Sequence, residues 1–221
     1  MKSGPASVIG TVAFAAALLA LQVNASAATP TAVKPVIATL PFALDMQLDL
    51  GAAQVDAGTL ALVAKKGTDL FVNPDGTEIA DKTPRVLFQP TGDFSLSAKV
   101  AAAFHQPYDG GALIVYGDKV NWGKLLFEMA KTGKAGISTT VARGTGDDAH
   151  HGVREGSEIY LKVMRKKNTF VFFTSPDGAN WSMVRGFSLP GAATVKVGFS
   201  SQSPMGDEFR ARFSDIKFSQ D

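Results

Sequence analysis

Hydrophobic and polar residues alternate along most of the chain beyond residue 90, which is the pattern of strands whose two faces meet different surroundings. In residues 94–104, the apolar positions Phe94, Leu96, Ala98, Val100, Ala102 and Phe104 fall on one face. The same period predicts strands at 112–116, 122–129, 136–143, 158–164, 169–174, 183–188, 195–201 and 209–218, and a further strand at 59–64. No segment after the N-terminal region keeps an apolar stripe of helical period.

Residues suited to chain reversal separate these segments. Glycine, proline, aspartate or asparagine stands at 109–111, 117–118, 144–148, 166–168, 176–178 and 190–191. Residues 68–90, which contain Asn73-Pro74-Asp75-Gly76, are predicted to form a long loop that packs over a face or lines a site. Short strands at this spacing predict an antiparallel sandwich or barrel.

Composition restricts the class of protein but does not indicate a function. The 221 residues are 45% hydrophobic and 19% charged, as in a folded globular protein. The formal net charge of +2 is too small to indicate a nucleic-acid partner or an anionic membrane surface. The chain has no cysteine, which excludes disulfides, thiol catalysis and cysteine metal sites.

The N-terminal segment has the pattern of a secretory signal. Lys2 provides the positive start, Val8 to Leu21 carry no charge, and Ala25-Ser26-Ala27 is a small-x-small cleavage site. We therefore expect a signal peptide at 1–27, a flexible tether at 28–41 and a single domain at 42–221. The alternative is an uncleaved anchor. Export without disulfides favours a bacterial periplasmic or secreted protein.

The segment 122–129 is the most informative predicted strand. Alternation places Leu125, Phe127 and Met129 on one face, and Trp122, Lys124, Leu126 and Glu128 on the other. An indole beside ionic groups suits a sugar ring, which stacks its apolar face and pairs its hydroxyls at the rim. The alternative interpretation is an ion pair on a solvated face.

Two other groups of residues are candidates for a binding or catalytic site. The turn from Ser175 to Trp181, with Arg185 after it, is explained by turn roles alone. The loop 143–151 holds Asp147, Asp148, His150 and His151, which could bind a divalent cation such as calcium, but their spacing matches no known ligand pattern and favours a solvated acidic turn. We assign no metal and no cofactor. A two-carboxylate hydrolase could combine Glu128 with Asp147 or Asp148.

The motifs in chain order are Gly92 to Val100, Tyr108 to Leu113, Asn121 to Glu128, the Ser175-x-Asp177-Gly178-x-x-Trp181 turn with Val184-Arg185, and Val197 to Phe199 leading to Gln202-Ser203-Pro204. This order resembles the family of the domain of unknown function numbered 1349. That family is placed among the concanavalin A-like lectins and glucanases and is similar to the fungal regulation of enolase protein. The resemblance covers roughly residues 59–218. One departure is Gly146, where relatives tend to have serine.

The resemblance implies an all-β, two-sheet antiparallel jelly-roll sandwich of the concanavalin A-like type. The residues shared with the family motif are expected to form one ligand-binding site on a concave sheet face, or else a buried polar network: Asp109, Trp122, Lys124, Glu128, Asp148, Arg185 and Gln202. Fold alone does not carry function within this superfamily.

The leading hypothesis is an exported, lectin-like, non-catalytic carbohydrate-binding domain with Trp122 as its stacking platform. One alternative is a glycoside hydrolase or lyase that uses Glu128. A third is a regulatory protein-interaction domain. A carbohydrate ligand is the expected partner, with no nucleic acid and no membrane contact after signal cleavage, and the oligomeric state is open.

Overall fold

The computed structural model describes Met1, Gly4 and residues 36–56 and 58–220. Apart from Met1 and Gly4, the predicted signal peptide and residues 28–35 of the predicted tether lie outside the described ranges. The strands are β1 Asp45–Gln47, β2 Gly51–Asp56, β3 Thr59–Lys65, β4 Leu70–Val72, β5 Ile79–Asp81, β6 Arg85–Phe88, β7 Phe94–Ala102, β8 Gly110–Asp118, β9 Asn121–Met129, β10 Ala135–Arg143, β11 Gly146–Val153, β12 Glu158–Lys166, β13 Thr169–Ser175, β14 Ser182–Ser188, β15 Lys196–Gln202 and β16 Glu208–Gln220. A 3-10 turn occupies Ala192–Thr194.

Two antiparallel sheets of seven strands form the domain. The front sheet has the order β1-β6-β15-β8-β9-β10-β11, and the back sheet has the order β14-β13-β12-β7-β16-β3-β2. The non-consecutive neighbours show that the chain crosses repeatedly between the sheets. The fold is therefore the predicted all-β jelly-roll sandwich.

The main core lies between the inner faces of the two sheets. Alternate residues of β7, among them Leu96, Ala98 and Val100, pack against Leu125 and Phe127 of β9. All five are fully buried, as the period of two requires when one face of each strand meets the other sheet.

The N-terminal part of the domain differs from the prediction in two ways. Ile37 and Leu40 are buried in the core, so the last residues of the predicted tether belong to the folded domain. Strands β1 and β2 were not predicted from the sequence. They pair with β6 and β3 at the sheet edges, where short segments with weak hydrophobic patterns gain their order from the neighbouring strand.

The prediction of a loop at 68–90 is wrong in its secondary structure. The segment contains β4 and β5, which pair as a hairpin, and β6, which joins the front sheet between β1 and β15. Its predicted position is confirmed, because Leu70 and Val72 pack onto the outer face of the front sheet. The β4–β5 hairpin therefore covers part of the outer face that we expected to be accessible to a ligand.

The predicted loop at 143–151 is also mainly strand. The chain reverses at Gly144, where φ is 82°, and Thr145, and β11 then runs as the edge strand of the front sheet beside β10. A Cβ at Gly146 would overlap the Val72 carbonyl oxygen, so this glycine lets the hairpin approach β11 closely. Within the described residues, no helix is long and apolar enough to span a membrane.

Candidate functional site

The two faces of β9 are divided as the alternation predicted. Leu125 and Phe127 enter the core between the sheets, whereas Trp122, Lys124, Leu126 and Glu128 lie on the outer face of the front sheet. This outer face continues onto β10 through Ser138 and Thr140 and onto β11 through Asp148 and His150, because these residues stand opposite each other in register.

The β4–β5 hairpin covers Trp122 completely. The indole has no exposed surface and packs with Leu70, Val72, Ile114 and Leu126 in a second apolar cluster. Its Nε1 donates to the Lys119 carbonyl oxygen at 3.3 Å. Trp122 therefore cannot stack on a ligand, and its expected role as a platform is wrong.

Lys124 attaches the hairpin to the sheet. Its Nζ donates to the Leu70 carbonyl oxygen at 2.7 Å and to Gln202 Oε1 at 2.9 Å, and Asp69 Oδ1 lies 3.7 Å away. Two of the three ammonium protons are therefore used in hydrogen bonds, and Asp69 adds an ion pair at longer range. With 4% of its surface exposed, Lys124 serves as an internal anchor.

A second anchor holds the far end of the hairpin. Asp81 accepts from Arg85 Nη1 at 2.6 Å and from the Tyr116 hydroxyl at 2.8 Å. The Arg85 guanidinium stacks 4.2 Å above the Tyr116 ring centre. Burial, followed by the bond to Asp81, raises the pKa of Tyr116 to about 12. The hairpin is thus clamped by charged groups at both ends, with its apolar side chains between them.

A cavity of about 290 Å³ opens beside the hairpin. It is lined by Asp69, Phe71, Tyr108, Lys124, Leu126, Glu128, Ser138, Thr140, Asp148, Ala149, His150 and Gln202. Phe71 is half-buried and Tyr108 is 36% exposed, so two aromatic rings border an opening whose floor is polar. We call this cavity the site pocket.

Glu128 is the buried carboxyl of the site pocket. Only 5% of the residue is exposed, and Ser138 Oγ donates to its Oε1. Burial raises the pKa of the Glu128 carboxyl, and the bond from Ser138 and the nearby charge of Lys124 offset this only in part. Ser138 Oγ also lies 2.9 Å from His150 Nδ1, so serine links the buried carboxyl to the exposed imidazole.

Asp148 stands at the rim of the pocket on β11. Its carboxylate accepts a hydrogen bond from the Thr140 hydroxyl, which fixes it toward the outer face. Asp147, one residue earlier, pairs in register with Val141 and points to the other side of the sheet. Of the two carboxylates considered as partners for Glu128, only Asp148 lines the pocket.

Tyr108 is held in an unusual backbone conformation. Its φ is 69°, a left-handed value that costs a bulky residue about 1–3 kcal/mol. Gln202 Nε2 donates to its carbonyl oxygen at 3.0 Å, and its own N–H donates to Met129 at 2.7 Å. The neighbouring Asp109 is fully buried and accepts from Ser203 Oγ at 2.9 Å. Asp109 and Gln202 thus position the Tyr108 loop, and only Gln202 also lines the pocket.

Arg185 lies away from the site pocket. It extends from edge strand β14 of the back sheet to Asp147 of β11, with Nη2 2.6 Å from Oδ2. Its Nη1 donates to Thr139 Oγ1 at 3.3 Å, and that hydroxyl contacts His151 Nε2 at 2.9 Å. Burial, with the nearby positive charge of Arg185, lowers the pKa of His151. These residues connect the sheet edges on the core side, so Arg185 does not belong with Glu128 and Asp148.

The turn from Ser175 to Trp181 has the structural role that its residue types indicate. Ser175 Oγ accepts from the Gly178 N–H at 2.9 Å, and Asp177 Oδ1 accepts from the N–H groups of Ala179 and Asn180. These bonds hold the pKa of Asp177 well below its usual range. Trp181 leaves the turn on the outer face of the back sheet, where its ring centre lies 3.9 Å from Lys162 Nζ.

The structure thus brings four of the seven predicted residues to one pocket: Lys124, Glu128, Asp148 and Gln202. Sequence reasoning missed the two aromatic residues of the pocket. Tyr108 was part of a recognised motif, and Phe71 lies in the short apolar run 70–72 beside a turn-rich segment. The residues from 36 to 56 and 58 to 220 contain no cluster of three acidic or histidine side chains placed to hold a metal ion.

A larger cavity of about 480 Å³ lies on the other side of the hairpin, between β1 and β5. No aromatic ring is among its lining residues in the described structure, and its central Arg85 is already paired with Asp81 and Gln47. This cavity therefore has fewer groups that could bind a ligand than the site pocket has.

The architecture defines a concanavalin A-like jelly-roll sandwich with a pocket on the outer face of one sheet. Residues 51–221 match the family described as "Protein of unknown function (DUF1349)", and the chain belongs to this family. No curated protein resembles the chain significantly in sequence.

Solved structures share the fold. A functionally unknown protein from Saccharomyces cerevisiae is 20% identical over 80% of this chain and 95% of its own, with a TM-score of 0.72. A xylan beta-1,4-xylosidase from Bacillus halodurans C-125 is 15% identical over 80% of this chain, with a TM-score of 0.61. A GH43 protein from Bacillus licheniformis is 14% identical over 79%, with a TM-score of 0.58. The chain spans 39% and 38% of the two Bacillus proteins, so it resembles one part of each.

Proposed function

We propose that this protein is an exported, non-catalytic carbohydrate-binding domain and that the site pocket is its binding site. The observation that carries this proposal is the pairing of two accessible aromatic rings, Phe71 and Tyr108, with a polar floor in one cavity. A pyranose presents apolar C–H surface to an aromatic ring and hydroxyls to the groups around it, so this combination of surfaces fits a sugar.

The floor and the rim of the pocket supply the polar contacts of such a ligand. Glu128 and Asp148 accept hydrogen bonds from sugar hydroxyls, and His150 adds an exposed imidazole at the rim. In this proposal Tyr108 takes the stacking role that was expected of Trp122, and the strained backbone at Tyr108 supports a functional role for this residue. Export is supported by the pattern of residues 1–27, which has Lys2 near the start, an uncharged stretch from Val8 to Leu21, and the small-x-small site Ala25-Ser26-Ala27.

The raised pKa of Glu128 favours a second candidate, a glycoside hydrolase or lyase. A general acid must hold its proton near neutral pH, and burial moves the carboxyl in that direction. The two Bacillus neighbours include a xylosidase, but at 14–15% identity they support only the shared fold. Binding without turnover remains the proposal because the two aromatic rings at the opening support it directly, whereas Asp148, the second carboxylate considered for catalysis, is exposed and bonded to Thr140.

The test is a binding and product-release assay with a panel of soluble oligosaccharides. Isothermal titration reports binding, and chromatography of the same samples reports cleavage. We expect binding without products, lost on Phe71→Ala and on Tyr108→Ala but retained by Phe173→Ala. Phe173 is an equally half-buried phenylalanine on the outer face of the back sheet, so it controls for the general effect of removing a ring.

Three results would contradict the proposal. Products that disappear with Glu128→Gln would establish the enzyme instead. Equal loss of binding in Phe71→Ala and Phe173→Ala would place the ligand elsewhere. No binding to any oligosaccharide would overturn the carbohydrate function and leave the protein-interaction alternative.

A further inference from the structure

A smaller cavity of about 130 Å³ adjoins the site pocket. Glu128, Ser138 and His150 line both cavities, so the smaller one begins where the site pocket ends. Ser138 Oγ donates to Glu128 Oε1 and lies 2.9 Å from His150 Nδ1, so the three shared residues form one hydrogen-bonded row between the two spaces. We call the smaller space the side cavity. Because the two cavities share this border, one ligand can occupy both of them.

Glycines on two neighbouring strands leave the side cavity empty. On β10, Gly136 stands two positions before Ser138, and on β11, Gly152 stands two positions after His150. Neither glycine carries a side chain, so the row of side chains that lines the site pocket stops at Ser138 and His150. A Cβ at Gly136 would lie 2.8 Å from the Gly152 carbonyl oxygen, and Gly152 has a φ of 91°, so the backbone requires glycine at both positions. The side cavity is therefore built into the two strands.

The side cavity differs from the site pocket in its chemistry. Ala130, Ile137 and Val153 give it an aliphatic surface, whereas the site pocket combines aromatic rings with carboxyl groups. Apart from the shared row, Lys134 is the one charged residue in its described lining, and it is exposed. Transfer of an apolar group from water to an aliphatic surface is favourable, while a polar group placed there without a partner loses its hydration. The side cavity therefore suits an apolar part of a ligand.

The volume of the side cavity limits the size of that part. A water molecule takes up about 30 Å³ in the liquid, so 130 Å³ holds about four groups of this size. A second pyranose ring with its hydroxyls is too large for this space. An acetyl group, which adds a carbonyl and a methyl group to the atom that carries it, fits.

We propose that the sugar bound in the site pocket carries an acetyl group, on nitrogen or oxygen, that enters the side cavity. This inference rests on the proposed carbohydrate-binding function. The methyl group packs against the aliphatic lining, to which Ala130 and Val153 belong, and the ammonium of Lys134 is a donor for the carbonyl oxygen. A sugar with a free hydroxyl at the same position leaves the aliphatic surface uncovered, so it binds more weakly.

The experiment compares two matched pairs of trisaccharides by isothermal titration with the purified protein. The first pair is the β-1,4-linked trisaccharide of N-acetylglucosamine and cellotriose, and the second is xylotriose with and without O-acetyl groups. Because one small apolar group in a fitted pocket changes affinity by about tenfold or more, we expect the acetylated member of at least one pair to bind about tenfold more tightly than its partner.

Matched variants assign this preference to the side cavity. Ala130→Leu fills part of the space and should reduce the preference to about twofold or less, while the non-acetylated sugar keeps its affinity. Ala61→Leu is the control, because it adds the same atoms to a half-buried alanine on the outer face of the back sheet, and it should leave the preference unchanged. Val153→Ser keeps the test valid if Ala130→Leu disturbs the fold. Val153 is 54% exposed, and its truncation should lower the preference to about threefold.

The outcomes separate this inference from the proposed function. If the two members of each pair bind equally and Phe71→Ala abolishes that binding, the carbohydrate site stands and the acetyl inference is wrong. If Ala130→Leu and Val153→Ser keep the full preference, or if Ala61→Leu loses it as much as Ala130→Leu does, the side cavity does not hold the acetyl group and the inference is also wrong. If none of the four probes binds, both proposals fail.

Discussion

The substitution Lys124→Met tests how the pocket wall is held in place. The methionine keeps most of the apolar part of the side chain but removes all three polar contacts of the ammonium, which join β9 to Leu70, Gln202 and Asp69. If the anchor acts as the structure indicates, the β4–β5 hairpin loses its attachment to the front sheet at this end.

The magnitude follows from two opposing effects. Each of the two hydrogen bonds from the ammonium contributes about 1.5–3 kcal/mol, and Asp69 also loses its ion-pair partner. Removing a buried charge recovers part of the cost of its desolvation. We expect a net loss of about 3 kcal/mol in the free energy of unfolding, or about 6–12 °C in Tm for a domain of this size.

Urea denaturation gives the change in free energy, and amide hydrogen exchange shows where it acts. Exchange should accelerate most at Leu70–Val72 and Ile79–Asp81. Lys162→Met is the matched control, because Lys162 is a half-buried lysine that contacts the Trp181 and Phe173 rings and forms no ion pair in the described structure. A difference below about 1 kcal/mol between the two variants, or uniform exchange, would refute the reasoning.

Three further predictions follow from single contacts. Because burial raises the pKa of Glu128, ionising this carboxyl destabilises the folded state, so Glu128→Gln should be more stable than the wild type at pH 7 in urea denaturation. This advantage should disappear as the pH falls through the raised pKa of the folded state to about 4.5, the ordinary value of the carboxyl in the unfolded chain, and a pH-independent difference would contradict the prediction. Gly146→Ala places a Cβ against the Val72 carbonyl oxygen and should lower the free energy of unfolding by about 1–3 kcal/mol. Gly186→Ala is the control, because its Cβ would meet only Phe170 O at 4.0 Å, and it should be nearly neutral in the same assay. Equal effects of the two substitutions would be inconsistent with close packing of the hairpin. Arg185→Met removes an ion pair in which the Asp147 side chain is 62% exposed and the Arg185 side chain 16%, so it should cost about 1 kcal/mol and leave oligosaccharide affinity unchanged by titration. A loss of affinity would return Arg185 to the site.

The period of two was sufficient to predict the sandwich because each strand buries one face against the other sheet. It also assigned Leu125 and Phe127 to the core and Glu128 to the opposite face. Alternation describes a strand's two faces but not what lies over them. The prediction was therefore correct in placing Trp122 on the outer face and wrong in leaving it exposed, because Leu70 and Val72, which cover it, belong to a hairpin some fifty positions earlier in the chain.

The remaining errors have the same origin. Arg185 and Glu128 both belong to recognised motifs, but motif membership carries no information on which side of the front sheet each residue reaches. Asp147 and Asp148 are adjacent in sequence and lie on opposite faces because β11 is a strand and not the predicted loop. Phe71 was missed because its strand has only three residues, too few for a periodic signal.

The most direct test of the account is the affinity of the protein for a panel of soluble oligosaccharides, measured by titration for the wild type, Phe71→Ala and Phe173→Ala together. The account predicts saturable binding that Phe71→Ala removes and Phe173→Ala preserves, because only Phe71 borders the pocket. Binding that survives Phe71→Ala, or is lost equally in both variants, would contradict the claim that this pocket is a carbohydrate site.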